Sequence, residues 1–291
     1  MKLLRIGMPG AEVPAILDEQ GRLTDISSLI QDISGAMLYR ESLEALRRAI
    51  DSARGTLPTH AFDGVRIGPP VKGVGKVVCV GLNFSKHAEE AGLPIPVEPV
   101  LFMKAADTIV GPNDNVLIPP RSQKTDYEVE LAVVIGKTAQ YLTGSDRPLD
   151  FVAGYSVSND VSEREYQLER GGQWDKGKNC QTFNPLGPML VTADEVDDIQ
   201  NLRMNSAVNG ETRQSSTTAD MIFGVEEIVR YVSQFMTLYP GDIINTGTPE
   251  GVGAGFEPPR FLKEGDTVTV EIEGLGRQSH TFVRTVAGSE L

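Results

Sequence analysis

The sequence predicts an α+β fold dominated by strands in mixed sheets. Short apolar, β-branched runs recur along the chain, among them Lys76-Val77-Val78-Cys79-Val80-Gly81, Leu131-Ala132-Val133-Val134-Ile135 and Val268-Thr269-Val270-Glu271-Ile272. Asn209-Gly210, set between two alternating runs at 202–208 and 212–216, is a strong hairpin signal. Helical segments are few and do not alternate regularly with the strands, as a doubly wound parallel sheet would require.

Taken in order, residues 1–70 read as a small N-terminal α+β domain and 71–291 as a larger one. Lys2-Leu3-Leu4-Arg5-Ile6 and Val13-Pro14-Ala15-Ile16-Leu17 are predicted strands, with a turn at Asp18-Glu19-Gln20-Gly21. Ser42 is placed to cap a helix whose Leu43, Leu46 and Ile50 share one face. Gly68-Pro69-Pro70 marks the boundary. A buried strand follows at 76–81, then a short helical turn at 85–90, which Asn83 is placed to cap. The chain then reaches Tyr127-Glu128-Val129-Glu130-Leu131 and a strand at 151–157 that leads to Asn159-Asp160. Residues 161–170 look helical, with Gly171-Gly172 ending the segment and Trp174 in a polar loop beyond it. Val225, Ile228, Val229, Val232, Phe235 and Met236 keep helical spacing. Pro240-Gly241-Asp242 turns the chain into a strand at 243–246. The 268–272 strand pairs across Glu273-Gly274-Leu275-Gly276 with the last one.

A length of 291 residues with 40% hydrophobic residues supports an ordinary large core. The formal charge of −13 argues against nucleic acid or an anionic membrane as partner, since both need a basic face. An anionic substrate would therefore need a locally positive site. Two cysteines, Cys79 and Cys180, form neither a C-x-x-C pair nor a disulfide framework. No run has the length of a signal peptide's apolar region or of a membrane span, so a cytoplasmic protein is expected.

Glu128 and Glu130 alternate with apolar residues, so a strand points both carboxylates to one face about 7 Å apart. Taken alone, the pattern favours two solvated glutamates on a half-exposed strand. The other reading is a hard divalent cation between them, with Asp160 as a third oxygen donor; all-oxygen ligation selects Mg²⁺, Mn²⁺ or Ca²⁺ over Zn²⁺. His87 and Glu90, three apart, are either an incidental surface pair or an imidazole oriented by a carboxylate for general-base work. Lys104 and Lys178 are solvated lysines by default. Residues 161–178 are either an ordinary surface segment or a lid hinged at its glycines. The Gly247-Thr248-Pro249-Glu250-Gly251-Val252-Gly253 loop lacks the ending of a P-loop, but its backbone N–H groups can hold a carboxylate or ketone oxygen.

In series, these segments resemble the fumarylacetoacetate hydrolase family over about residues 72–285. The motifs that carry the resemblance are Val80-Gly81-Leu82-Asn83-Phe84 with His87 and Glu90, Phe102-Met103-Lys104, Asp126-Tyr127-Glu128-Val129-Glu130-Leu131, Asn159-Asp160-Val161-Ser162-Glu163-Arg164, residues 178–188, and Pro240-Gly241-Asp242 through Gly247-Thr248-Pro249 to Gly253. The resemblance implies a mixed β-sandwich or β-roll catalytic domain. It implies Mg²⁺ or Mn²⁺ on Glu128, Glu130 and Asp160, and a His87–Glu90 dyad. It also implies Lys178 as active-site lysine, Lys104, Arg164, Gln167 and Thr248 as substrate contacts, and a homodimer. Gln181, where members often carry Asp, and Ala106-Asp107, where a small hydroxyl residue is common, depart from the pattern. The lid sequence 163–178 looks most like that of hydrolases of 2,4-diketo-3-deoxy-L-fuconate and L-rhamnonate.

The reaction this implies is hydrolysis of the C3–C4 bond of a 2,4-diketo acid, a small anion, to pyruvate and a second acid. An oxaloacetate decarboxylase or tautomerase, or a ureidoglycolate lyase-like enzyme, would use the same site without that step. A metal-dependent binding module without turnover is the reading from a different class.

Overall fold

A computed structural model describes residues 1–285 except Glu19 and Asp63, so the turn expected at 18–21 lies partly outside the described residues. The chain is strand-dominated α+β. A twelve-stranded sheet runs in the order Thr59–His60, Leu23–Asp25, Val13–Leu17, Lys2–Ile6, Asn184–Thr192, Val152–Asn159, Val129–Ile135, Ile243–Asn245, Val77–Gly81, Val100–Lys104 along its main path, with two short strands off it. Most neighbours are antiparallel, while Ile243–Asn245 runs parallel to Val77–Gly81. A five-stranded sheet is built on the predicted hairpin, Arg203–Val208 with Glu211–Thr217, and on Thr267–Ile272 with Gly276–Arg284. Asn209 and Gly210 take φ of 52° and 82° at its tip, the left-handed pair that a two-residue hairpin demands.

The central strand Val129–Ile135 explains how core and site share one element. Its residues are buried on both faces. Val129, Leu131, Val133 and Ile135 join the larger core, with Val268, Val270 and Phe282 of the five-stranded sheet. Ala132 and Val134 join a second core with Leu43 and Leu46 of the helix Arg40–Ser52. Glu128 and Glu130 continue that second file, so the two-residue period carries both toward the same side at the strand's start.

The N-terminal strands are hydrogen-bonded into the main sheet, with Lys2 opposite Val191 and Leu3 opposite Leu190. Within the N-terminal region a buried ion pair joins Arg5 to Asp32, Arg5 donating at 2.7 Å. Arg66 donates to Asp114, in the loop before Val116–Ile118, at 2.6 Å. No helix among the described residues is long and apolar enough to cross a membrane.

Several local expectations are corrected. Ser42 lies inside the helix Arg40–Ser52, whose N-cap is Tyr39 with no side-chain cap bond. Tyr39 is extended at φ −63° and ψ 145°, so the helix starts three residues earlier than a Ser42 cap would set it. The helix on Val225 closes at Val232, and Phe235 beyond it is exposed. Asn83 does not cap the turn Ser85–Glu90. Its amide donates to the carbonyls of Phe223 and Thr246 at 3.0 and 2.8 Å and accepts from the Phe223 N–H at 2.8 Å. It thereby staples two distant loops beside the 76–81 strand. Residues 161–170 are not one helix: a short strand Ser162–Glu163 pairs with Thr125–Asp126 before the helix Arg164–Leu168.

His280, in the last strand, is fully buried between the sheets. Its Nδ1 lies 2.9 Å from the Pro112 carbonyl, which can only accept, so Nδ1 carries the proton and Nε2 accepts from the Asn159 amide at 3.1 Å. Burial pushes this imidazole down to about 4. An unfolded histidine titrates near 6.5, so below that pH the unfolded chain takes up a proton that the native chain refuses until about pH 4. The stabilising contribution is whole above the unfolded value and is lost as pH falls across this window, at about 1.4 kcal/mol per pH unit. Chemical denaturation of the wild type from pH 7 to 4.5 is expected to lose about 2–3 kcal/mol more than the His280→Gln variant does over the same range. Parallel profiles for the two proteins would contradict this assignment.

Candidate metal centre and active site

One oxygen from each of Glu128, Glu130 and Asp160 lies within 4.8 Å of the others, and all three residues are buried. Register brings them together. Val129 pairs with Asn159, and the Asp160 N–H continues the ladder to the Glu128 carbonyl at 2.9 Å. On the other flank Ala132 pairs with Asn245, a register that sets Gly247 opposite Glu130, and the Gly247 N–H donates to Glu130 Oε2 at 2.8 Å.

Positive side chains interleave these carboxylates. Lys178 Nζ donates to Glu128 at 2.8 Å and to Asp160 at 2.7 Å. Lys104, fully buried, pairs with the other Asp160 oxygen and donates to the Val161 carbonyl at 3.1 Å. Arg164 donates to Asp126 at 2.9 Å and to Gln167 at 3.0 Å, and its Nη2 lies 2.7 Å from Glu128 in an off-axis ion pair. Glu130 has no ion-pair partner among the described residues.

The titration directions follow from that asymmetry. Burial alone would raise Glu128, but the Lys178 ammonium and Arg164 guanidinium outweigh it and hold the carboxylate below its usual range. Burial raises Glu130, and the Asp160 and Glu128 charges raise it further, well above the usual range. Burial would lower Lys178, yet Asp160 and Glu128 hold it above its ordinary value. Four carboxyl groups thus face three cations in a buried cluster, and Glu130 is the one left without a counter-ion. A hard divalent ion matches that donor set in charge and in chemistry, and the arrangement fits the cation expected from the sequence.

His87 and Glu90 face the same space. His87 Nδ1 lies 3.1 Å from Glu90 Oε2, and the other Glu90 oxygen accepts from the Gly251 N–H at 2.9 Å. The glycine-rich loop therefore holds carboxylates, but the protein's own: Gly247 serves Glu130, Gly251 serves Glu90, and Gly253 and Ala254 serve Asp126 at 2.7 and 2.9 Å. A cavity of about 360 Å³ joins these groups, lined among others by His87, Glu90, Glu128, Glu130, Arg164, Gln167, Lys178 and Thr248. Residues 164–178 roof it. Trp174 stacks edge-on to Phe102 with ring centroids 5.7 Å apart and lies against Gly81, where any Cβ would collide with the indole.

Two residues expected at the substrate sit differently. Lys104 lies behind Asp160 and does not line the cavity. Thr248 lines it, but its hydroxyl donates to the Val129 carbonyl at 2.9 Å and accepts from Gln214 at 2.8 Å. Sequence reasoning gave no role to Asp126, Asn159 or His280. Asp126 takes both Arg164 and two loop N–H groups, and Asn159 accepts the Glu128 N–H at 3.0 Å while donating to His280. Asp126 and Asn159 stand beside the metal-ligand motifs in the chain, which is the one signal that could have marked them. His280 carried none.

Three clustered carboxylates suited to a hard cation beside a His–Glu pair, on a strand-dominated scaffold, fit a metal-associated enzyme of the hydrolase or isomerase kind. The chain belongs to the fumarylacetoacetate hydrolase family, matching its fumarylacetoacetate (FAA) hydrolase C-terminal domain over residues 76–283. A Burkholderia lata protein whose name goes no further than hydrolase is 53% identical over 283 residues, 97% of this chain and 99% of its own. The crystal structure of 2-hydroxyhepta-2,4-diene-1,7-dioate isomerase from Mycobacterium marinum is 33% identical, with TM-score 0.75, covering 99% of this chain and 100% of that one. The maleylpyruvate hydrolase of Sphingobium sp. SYK-6 in complex with manganese (II) ion and pyruvate is 29% identical, with TM-score 0.81, covering 98% and 100%.

The two glutamates carry opposite expectations in chelator-treated protein. Glu128→Gln removes a partner of Lys178 and Arg164 and is expected to cost about 3–5 kcal/mol of stability. Glu130→Gln relieves like-charge crowding, keeps an acceptor for Gly247 and is expected to leave stability unchanged or higher. Both variants are expected to weaken Mn²⁺ binding by at least the roughly 10–100-fold that loss of an outer-shell partner costs. Thermal unfolding with EDTA and Mn²⁺ titration by electron paramagnetic resonance check the pair; equal destabilisation by both changes would contradict the charge assignment.

Proposed function

We propose that this protein hydrolyses the C3–C4 bond of a 2,4-diketo acid, giving pyruvate and a second carboxylic acid, with Mg²⁺ or Mn²⁺ as cofactor. The observation that carries the proposal is the meeting of Glu128 and Glu130 with the His87–Glu90 pair in one cavity, with an oxygen of the buried Asp160 within 4.8 Å of both glutamates. Binding of a keto acid needs only the cation and positive charge; an oriented imidazole is required when a water must be activated.

Glu128, Glu130 and Asp160 would hold the cation, which supplies Lewis acidity toward the oxygens of a 2-oxo carboxylate. Glu90, fixed by the Gly251 N–H, orients the His87 ring through Nδ1 and leaves Nε2 to take a proton from water. The hydroxide so formed adds to the C4 carbonyl. An ammonium has three donors, and Lys178 places two on Glu128 and Asp160, so its third is available to the oxyanion that develops at C4. The C3–C4 bond then breaks toward C3, whose electron pair delocalises into the adjacent 2-oxo group. The His87 imidazolium returns its proton to C3, completing pyruvate, and the C4 fragment leaves as a carboxylic acid. One water is consumed and no redox change occurs.

An isomerase or decarboxylase is the second reading, favoured by the isomerase among the similar structures. It shares the stabilised carbanion at C3 but needs no water attack. The sugar-acid substrate expected from the lid sequence has distal hydroxyls, and these would require polar partners on the outer cavity wall.

His87→Ala is expected to lower pyruvate release from a 2,4-diketo acid by about 10²–10⁴-fold. Mn²⁺ affinity should stay within a few-fold, and oxaloacetate decarboxylation, if present, should persist. Full hydrolytic activity in His87→Ala, or in EDTA-treated wild type, would defeat the mechanism.

A further inference from the structure

We infer that the substrate is a monocarboxylate whose distal half is an uncharged, apolar chain. The inference rests on the keto-acid reading of the same site, and it concerns the half of the cavity that this chemistry leaves unassigned.

The cavity has a depth axis. Glu128 and Glu130 at its base are 4% and 2% exposed, whereas Leu93 and Leu168 at its rim are 44% and 55% exposed. Between base and rim the wall beyond the catalytic groups is made by Ala91, Trp174, Val252 and Ala254. Its side-chain acceptors are already engaged: the Thr248 hydroxyl bonds Val129 and Gln214, and the Gln167 carbonyl oxygen is held by Arg164, which leaves the Gln167 amide and Trp174 indole N–H groups as the donors of this wall. A polyhydroxylated chain entering here would leave hydroxyls without partners, at a cost that an apolar chain does not incur.

Charge gives an independent limit. Among the described residues the lysines and arginines lining the cavity are Arg164 and Lys178, and both are already ion-paired. With Glu130 ionised, as it would be against a cation, the cluster of Asp126, Glu128, Glu130 and Asp160 against Lys104, Arg164 and Lys178 carries one surplus negative charge. A divalent ion turns that into one surplus positive charge, which a single substrate carboxylate neutralises. Glu90 adds only to the negative side. A second carboxylate at the far end would meet no free cation and would be desolvated beside leucine and tryptophan.

The test measures binding to the Mn²⁺-loaded enzyme by calorimetry, so that it does not depend on turnover. Affinity is expected to rise from pyruvate through 2-oxohexanoate to 2-oxooctanoate by roughly two- to fourfold per added methylene. 2-Oxooctanoate is expected to bind at least tenfold more tightly than 2-oxooctanedioate, and 2-oxohexanoate more tightly than a 2-oxo-3-deoxyhexonate. Equal or tighter binding of the dioate or of the hydroxylated acid would overturn the inference. Leu168→Lys, at an exposed position, is expected to shift the ratio at least fivefold toward the dioate; an unchanged ratio would overturn placement of the chain under the lid. Pyruvate release from 2,4-dioxooctanoate is assayed in parallel. If that acid is not cleaved but the binding order holds, the hydrolase reading fails and the substrate class stands. If it is cleaved but the order is reversed, the class fails and the hydrolase reading stands.

Discussion

The buried carboxyl group of Glu130, left without a counter-ion, is the constraint on which the rest of the site depends. Charged groups out of water are costly unless paired and hydrogen-bonded. Lys104, Lys178 and Arg164 compensate three of the four carboxylates and leave Glu130 with the Gly247 N–H as its donor. A site left short of one cation is poised to take one from solution.

Much of the surrounding fold serves to hold that arrangement rigid. Asn159 accepts the Glu128 N–H and is oriented by His280, which is itself fixed by the Pro112 carbonyl. Two residues past Pro112, Asp114 is clamped by Arg66 from the N-terminal region. A run of contacts therefore leads from Arg66 to the backbone of Glu128. The glycine-rich loop does the same from the opposite side, placing backbone N–H groups on Glu130, Glu90 and Asp126. Preorganisation of this kind is where electrostatic stabilisation of developing charge is most effective.

The parts of this site that were legible in the sequence are those whose chemistry and spacing are local. Glu128 and Glu130 declare a shared face through the two-residue period, and His87 with Glu90 lie on one short helix, where the two side chains meet at 3.1 Å. The hairpin at Asn209-Gly210 was equally local. The parts that were not legible are set by contacts across long sequence separations. Nothing near His280 says that it faces Asn159, 121 residues away. Nothing in Lys2-Leu3-Leu4 says that it pairs with residues 190 and 191. Ser42 misled because capping propensity is weaker than the extended conformation that the chain adopts at Tyr39. The backbone of the 247–253 loop cradles anions, as its sequence suggests, but the anions are side chains of the protein, which only the three-dimensional register reveals.

The claim that all of this converges on one hard ion is tested most directly by crystals of the protein soaked in Mn²⁺ and measured at the manganese absorption edge. A single anomalous peak bounded by oxygens of Glu128, Glu130 and Asp160 is the predicted result. No peak there at saturating Mn²⁺, or one held by a different set of residues, would contradict the account.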